Sequence, residues 1–341
     1  MIEDTQNNKS VRSQFYNYDF NKQNGLFKRW GETFSDDPIL APSPEILDIE
    51  ISTICNGVGA PCPWCYKSNT GRGFNMSLDT FKAIHQRFPR LLTQVALGIG
   101  DIDGNPDLVK IMEYCRENDF NTVVPNLTTN GYDLNQKWAS TLASLCGAVA
   151  VSNYKKDVCY DAVKRLTDAG LKQVNIHQLV TVETLPQILA TLGDITTDTR
   201  LSNLNAIVFL SLKPKGKRNK LTPVNDAQFK EIVSICLEKE INFGFDSCSA
   251  GKFLKSIRGH KLYGAYNKLV EPCESSLFSA YVNVHGEFFP CSFSEGEPGW
   301  TKGIDVLRSE DFVADVWNHS NTLRFRSDLL SKCRNCPIHK I

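Results

Sequence analysis

The 341-residue sequence has no excess of charge of either sign, since 38 lysines and arginines balance 38 aspartates and glutamates. A chain built to follow nucleic acid or an anionic membrane shows a cationic surplus. Neither partner is signalled here, although local patches such as KPKGKRNK, Lys213–Lys220, gather positive charge. Also missing is any apolar stretch of the roughly eighteen residues that a membrane-spanning helix requires. The opening MIEDTQNNKSVRSQFYNYDF contains nothing apolar enough for a secretory signal. The expectation is a cytoplasmic protein, in a reducing compartment where disulfides are rare. Low-complexity tracts are absent, as is any repeat beyond a βα alternation. With 41% apolar and 22% charged residues, the composition suits one large or two moderate globular domains.

That alternation starts at Ile46. Strands are expected at EILDIEIS, TQVALGI, NTVVPNLTT, GAVAVS, KQVNIHQLVT, LNAIVFLSL and INFGFD. Helical periodicity is expected at SLDTFKAIHQRF, PDLVKIMEYCREN, NQKWASTLASL, KDVCYDAVKRLTDAG, TLPQILATLGD and NDAQFKEIVSICLEKE, with Ser77 as an N-cap and Gly170 as a stop. These six or seven units fall short of the eight that close a TIM barrel. The fold class is therefore α/β, an open, partial (β/α)6 TIM-like barrel over residues 45–250. In such folds the chemistry sits at the C-terminal ends of the strands. Residues 251–341 change to short β segments, notably LFSAYVNVHGEFFPCSF with a turn at His285-Gly286, and read as a small C-terminal α+β unit. Residues 1–44 place aromatics on both sides of Asn24-Gly25, the signature of a β-hairpin. The hairpin is expected to pack over one end of the barrel and shape the substrate mouth.

Twelve cysteines in a reducing compartment point to metal ligands or buried thiols. Cys115, Cys146, Cys159 and Cys236 fall within or at the ends of predicted helices, where a core role is the default. Cys55, Cys62 and Cys65 share the loop TICNGVGAPCPWCYKSN directly after the first strand, on the face expected to be catalytic. A disulfide uses two thiols and a closed zinc site four. Three suit a [4Fe-4S] cluster that keeps one iron open, while a zinc knuckle completed from elsewhere is the alternative.

On these residues the sequence resembles the radical S-adenosylmethionine (SAM) superfamily, although C-x6-C-x2-C replaces the family's common C-x3-C-x2-C. A glycine-rich insertion can bulge without moving the sulfurs. The resemblance implies that SAM binds the open iron and is cleaved reductively to a 5'-deoxyadenosyl radical. It also implies SAM contacts: Trp64 beside the adenine, Gly100 and Asp101 at the position of the family's Gly-Gly-Glu, and Thr129 and Asn130 in the TNG segment. Ser152, His177 and Lys213, at the ends of later strands, complete the implied set.

The late set Cys273, Cys291, Cys333 and Cys336 has the spacing C-x17-C-x41-C-x2-C, with Gly286 five residues before Cys291. It resembles the start of the SPASM motif and, with five residues after Cys336, the shorter Twitch form. That resemblance implies a second, fully ligated [4Fe-4S] auxiliary cluster; four thiols with a C-x2-C pair also suit structural zinc. Cys248, after the seventh strand beside Asp246, is a candidate hydrogen-atom donor or substrate contact. The function so implied is hydrogen abstraction from a peptide or protein side chain, with electrons from a flavodoxin or ferredoxin. Dehydrogenation of a small sugar-like molecule is the alternative within the class. A zinc-stabilised binding module and an iron-sulfur electron carrier are alternatives outside it.

Overall fold

The computed structural model describes residues 1–339. Four short strands come first: β1 (Ile2–Asp4), β2 (Asn8–Val11), β3 (Asn17–Asn21) and β4 (Phe27–Trp30), forming one antiparallel sheet in that order. β3 and β4 flank Asn24-Gly25, where Gly25 takes φ 70°, a left-handed conformation that glycine adopts without strain. β1 and β2, unanticipated from the sequence, widen the pair to four strands.

The alternating units follow: β5 (Ile46–Glu50), α1 (Leu78–His85), β6 (Gln94–Gly98), α2 (Leu108–Arg116), β7 (Val124–Thr129), α3 (Gln136–Leu145) and β8 (Ala148–Ser152). Then come α4 (Lys156–Asp168), β9 (Gln173–Val180), α5 (Leu185–Asp194), β10 (Ala206–Ser211), α6 (Asp226–Glu238) and β11 (Phe243–Phe245). Local chemistry sets the helix ends. The Ser77 side chain accepts from the Thr80 amide at 3.2 Å, and Asn225 and Gln228 form a reciprocal capping box. Gly170, at φ 96°, ends α4.

β5 to β11 pair in chain order and all parallel, without closing into a ring. The architecture is a partial TIM-like barrel. The second edge of β5 is taken by β12 (Ser279–Val282), also parallel, and β13 (Glu287–Phe289) and β14 (Ile304–Asp305) add antiparallel strands beyond it. Helices α7 (Ala250–Ser256), α8 (Tyr263–Leu269) and α9 (Ser320–Ser331) complete the C-terminal region.

The two faces of the barrel sheet differ in kind. Outward residues Leu47, Ile49, Val95, Leu97, Val149, Val151, Val174, Ile176, Ile207 and Phe209 are buried with Phe81, Ile111, Leu142, Val163, Ile188 and Phe229 of the helices. Inward, one register row reads Glu50, Gly98, Thr128, Ala150, Asn175, Ala206. A row nearer the strand starts carries Tyr281, Asp48, Ala96 and Asn126, and one nearer the ends carries Ser152, His177, Val208 and Gly244. A packed barrel fills this space with Val, Ile and Leu. Small and polar residues leave it open instead, and Asp48 and Gly98 are exposed within it.

The N-terminal sheet lies at the other end. Lys9 Nζ donates to the carbonyl of Leu92 at 2.9 Å and to the Asn121 side chain, and Lys22 donates to Thr122 Oγ1 at 2.9 Å. Gln173 reaches the Asn24 carbonyl, and Arg29 grips Glu45 with two bonds of 2.7 and 2.8 Å while Tyr16 also donates to Glu45. All these acceptors and donors stand at the starts of β5, β6, β7 and β9. The sheet therefore plugs the bottom of the barrel, correcting the expectation that it shapes the mouth.

Arg29 and Glu45 are almost fully buried, at 4% and 1% side-chain exposure. Removing Arg29 strands the buried Glu45, which typically costs about 3–5 kcal/mol, whereas without Glu45 the guanidinium keeps Glu271 at 3.5 Å and Glu274 at 3.6 Å. Arg29→Ala is expected to lose stability on that scale in urea unfolding, and Glu45→Ala less. Arg12→Ala, which breaks an exposed pair with Asp19, should cost at most about 1 kcal/mol.

Candidate active site at the barrel mouth

Beyond β5 the chain crosses the strand ends as a loop. Its base is tied by Thr53 N–H to Phe74 O at 3.0 Å and Cys55 N–H to Thr70 O at 2.8 Å, and Gly57 and Gly59 turn it at φ 72° and 84°. Cys62 lies within electrostatic reach of both Cys55 and Cys65, so the loop gathers all three thiols. Gly100, just past β6, backs onto Cys55, and a Cβ there would overlap the Cys55 sulfur. Asp101 is buried and clasps the loop. Its carboxylate accepts from the Asn56 amide at 2.6 Å, the Asn56 side chain at 3.0 Å and Asn130 Nδ2 at 2.9 Å, with Cys55 Sγ at 3.5 Å. Burial, reinforced by Asp101, pushes the Cys55 thiol up to about 12, and burial beside Cys65 raises Cys62. Without a bound cation such thiols keep their protons, and a metal must displace them.

Across the mouth, the rings of Trp64 and Tyr154 meet at 5.6 Å. Trp64 Nε1 is buried with no hydrogen-bond partner, an orphaned donor of the kind that marks space for an absent group. Burial and the nearby Cys62 raise Tyr154 to about 12, with Ser152 as its hydrogen-bond partner. Asn130 holds Asp101 and also accepts from the Tyr132 amide at 2.8 Å. Thr129 does not face the site. It pairs with Val151 on the outward face and its hydroxyl accepts from the Gly131 amide at 3.3 Å, while Thr128 faces the lumen. The slip is one residue, and strand alternation turns it into the wrong face.

His177 lines the lumen beside Ser152 and Val208. Burial lowers it to about 4 against a partial opposing pull from Asp246, so the ring is neutral at pH 7. Lys213 is buried, ion-paired with Asp246, and its ammonium stands 4.7 Å over the Phe293 ring. Cys248 adjoins this pair.

A group that the sequence reading missed joins the cysteine loop to the C-terminal region. Lys67, two residues past Cys65, lies 3.2 Å from Glu50 Oε2, donates to Tyr281 OH at 2.9 Å, and is paired with Glu295. Its signal was the DIE of EILDIEIS, two acids on one face of a strand otherwise apolar. The first of them, Asp48, meets the lumen solvent yet is walled in by protein, and burial raises it to about 6.

In the late set, Cys273 is buried, and Cys291 and Cys336 lie within electrostatic reach of it and of each other. Cys333 is exposed, at φ 51°. Among the described residues no three Cys, His, Asp or Glu side chains are placed to hold one metal ion. The same holds for Cys55, Cys62 and Cys65. Cys115, Cys146, Cys159 and Cys236 are buried core residues. No helix among the described residues is long and apolar enough to cross a membrane.

No protein-family model and no curated protein sequence matches the chain. Solved structures do. SuiB of Streptococcus suis bound to precursor peptide SuiA aligns with a TM-score of 0.70 at 15% identity, over 100% of this chain and 94% of that one. SuiB bound to S-adenosylmethionine gives 0.63 at 15% identity, over 89% and 72%. anSMEcpe with bound AdoMet and the Cp18Cys peptide gives 0.58 at 14% identity, over 87% and 88%. The chain shares their fold, nearly end to end.

The raised Asp48 makes its ionised form the costly one. Its contribution to stability is full below the ordinary 3.8 and is lost as pH rises through about 6. Asp48→Asn, which cannot ionise, should therefore gain in melting temperature over the parent as pH goes from about 3.8 to about 6, with a constant advantage above. An advantage that does not vary with pH would mean that the carboxylate is satisfied in the folded protein.

Proposed function

We propose that the chain is a radical SAM enzyme that acts on a peptide or protein side chain held in the barrel lumen. The observation that carries this reading is the three-thiol loop clasped over the open end of a partial barrel by Gly100 and Asp101. The residues fit a [4Fe-4S] cluster: three sulfur donors, a glycine leaving room beside Cys55, and the orphaned Trp64 Nε1. Four irons and three thiolates leave one iron for SAM. Bound there, the cluster would supply the electron for reductive cleavage of SAM, the chemistry that starts hydrogen-atom abstraction from the substrate.

The remaining work belongs to the chain's own side chains. Cys55, Cys62 and Cys65 ligate, while Asp101 and Asn130 keep the loop seated and present carboxylate and amide to the SAM amino group. Trp64, Tyr154 and Ser152 border the adenosine, with Lys213 on the far rim. Asp48, Thr128, Asn175 and neutral His177 line the space beneath for substrate. The fold shared with SuiB, solved with precursor peptide SuiA, and with anSMEcpe, solved with the Cp18Cys peptide, favours a peptide over a sugar-like molecule. The late cysteines hold an auxiliary cluster, and a flavodoxin or ferredoxin supplies electrons.

Anaerobically reconstituted protein is expected to contain about eight irons, four per cluster, and to release 5'-deoxyadenosine from SAM under strong reductant. Changing Cys55, Cys62 and Cys65 together to Ala should remove about half of the iron and all of the 5'-deoxyadenosine. Gly100→Ala, by pushing on Cys55, should give the same partial iron loss with all three thiols present. Full iron content in the triple variant would refute the reading.

A further inference from the structure

The late cysteines converge on a fifth thiol from another part of the chain. Cys248 sits in the elbow between β11 and α7, and that elbow is rigidly held. The Asp246 amide donates to Phe209 O at 3.0 Å, Asp246 accepts from the Ser211 amide at 3.1 Å, and the Ser211 and Ser249 hydroxyls meet at 2.7 Å. Lys213, paired with Asp246, lies over Phe293, two residues past Cys291. From the other side, the His339 ring bonds Phe293 O at 3.2 Å while its amide donates to Cys336 Sγ at 3.3 Å. A Cβ built on Gly251, in the first turn of α7, would stand 3.9 Å from Asn335 Oδ1, next to Cys336. Cys248 is thereby brought within electrostatic reach of both Cys273 and Cys291.

Cys333 is displaced from this group by its own backbone. Cys333 and Arg334 both take left-handed conformations, at φ 51° and 61°. That turn sends Arg334 inward, where its guanidinium donates to Cys273 O at 2.9 Å and Pro272 O at 2.8 Å, and leaves Cys333 exposed.

We propose that the auxiliary cluster is ligated by Cys248, Cys273, Cys291 and Cys336, with Cys333 outside the ligand set. This rests on the cluster reading of the late thiols. A four-thiolate cluster carries net negative charge, and Lys213 and Arg334 stand at its border to offset it. The elbow after the barrel's last strand then contributes a ligand, so the cluster crosslinks the barrel to the C-terminal region.

The test uses full-length protein lacking Cys55, Cys62 and Cys65, in which any iron belongs to the late site. Metal content of that parent tests the cluster reading by itself, since zinc in place of about four irons would refute it without touching the ligand assignment. On the parent, Cys248→Ala is expected to lose most of the bound metal and Cys333→Ala to keep it. Retention in both, loss in both, or loss only with Cys333→Ala overturns the assignment. Cys248→Ser guards against misfolding by keeping the side-chain size and an oxygen donor. It should keep a parental circular dichroism spectrum and show a shifted electron paramagnetic resonance signal of the reduced cluster, and an unshifted signal would equally overturn the proposal.

Discussion

The pairing of β5 on both of its edges is the constraint from which the rest of the mouth follows. An open barrel leaves its first strand with a row of unmatched backbone donors and acceptors, which is costly if buried and sticky if exposed. Here β12 fills that edge in parallel register, Tyr281 opposite Asp48. The fill is not a neutral patch, because the strand arrives attached to the loop that carries Cys291 and Glu295. Lys67 then reaches from the cysteine loop to Glu50, Tyr281 and Glu295 together. The cysteine loop and the segment carrying Cys291 are thus tied to one sheet.

The lumen follows from what the inward rows lack. Gly98, Ala150 and Ala206 in one row, with Thr128 and Asn175 between, cannot fill a barrel of this girth. The apolar burial that holds the barrel together has to come from the outer face, and it does: every outward position named above is buried against a helix. Such a division separates stability from function. The outer face can be packed tightly, while the inner one keeps an unpaired carboxylate and a neutral imidazole in space shaped for a guest.

The strands and helices of the barrel were legible in the sequence because apolar periodicity and turn chemistry agreed in each unit, as at Ser77 and Gly170. The thiol loop was legible from spacing alone. What the sequence did not disclose depends on face and register. TTNG reads equally well with Thr128 or Thr129 inward, and only the pairing of Thr128 with Ala150 decides it. Lys67, Glu50, Tyr281 and Glu295 are far apart along the chain, and no local signal marks them as one group. Nor could spacing reveal that Arg334 turns Cys333 outward, since a C-x2-C pair carries no record of which backbone conformation it takes.

The run KPKGKRNK shows the same limit in electrostatic form. In a sequence of zero net charge it stands out as a basic stretch open to an anionic partner. In the fold three of its five charges are engaged at the mouth, while Lys217 and Lys220 are exposed. Lys213 pairs with Asp246, Lys215 donates to Phe293 O at 3.0 Å and lies 3.5 Å from Glu297, and Arg218 donates to Asn69 O at 3.0 Å beside Cys62. Gly216 lets the strip bend at φ 102° against the backbone of Cys65, where any side chain would collide. The strip therefore runs between the two thiol sets. A thiol that must lose its proton to bind metal is raised by burial and by its neighbours, and fixed cations are what lower that cost. Lysines and an arginine held in place by carboxylates and carbonyls do this without drawing in solvent ions. Through Lys213, Lys215 and Arg218 the basic run is the electrostatic counterpart of the cysteines.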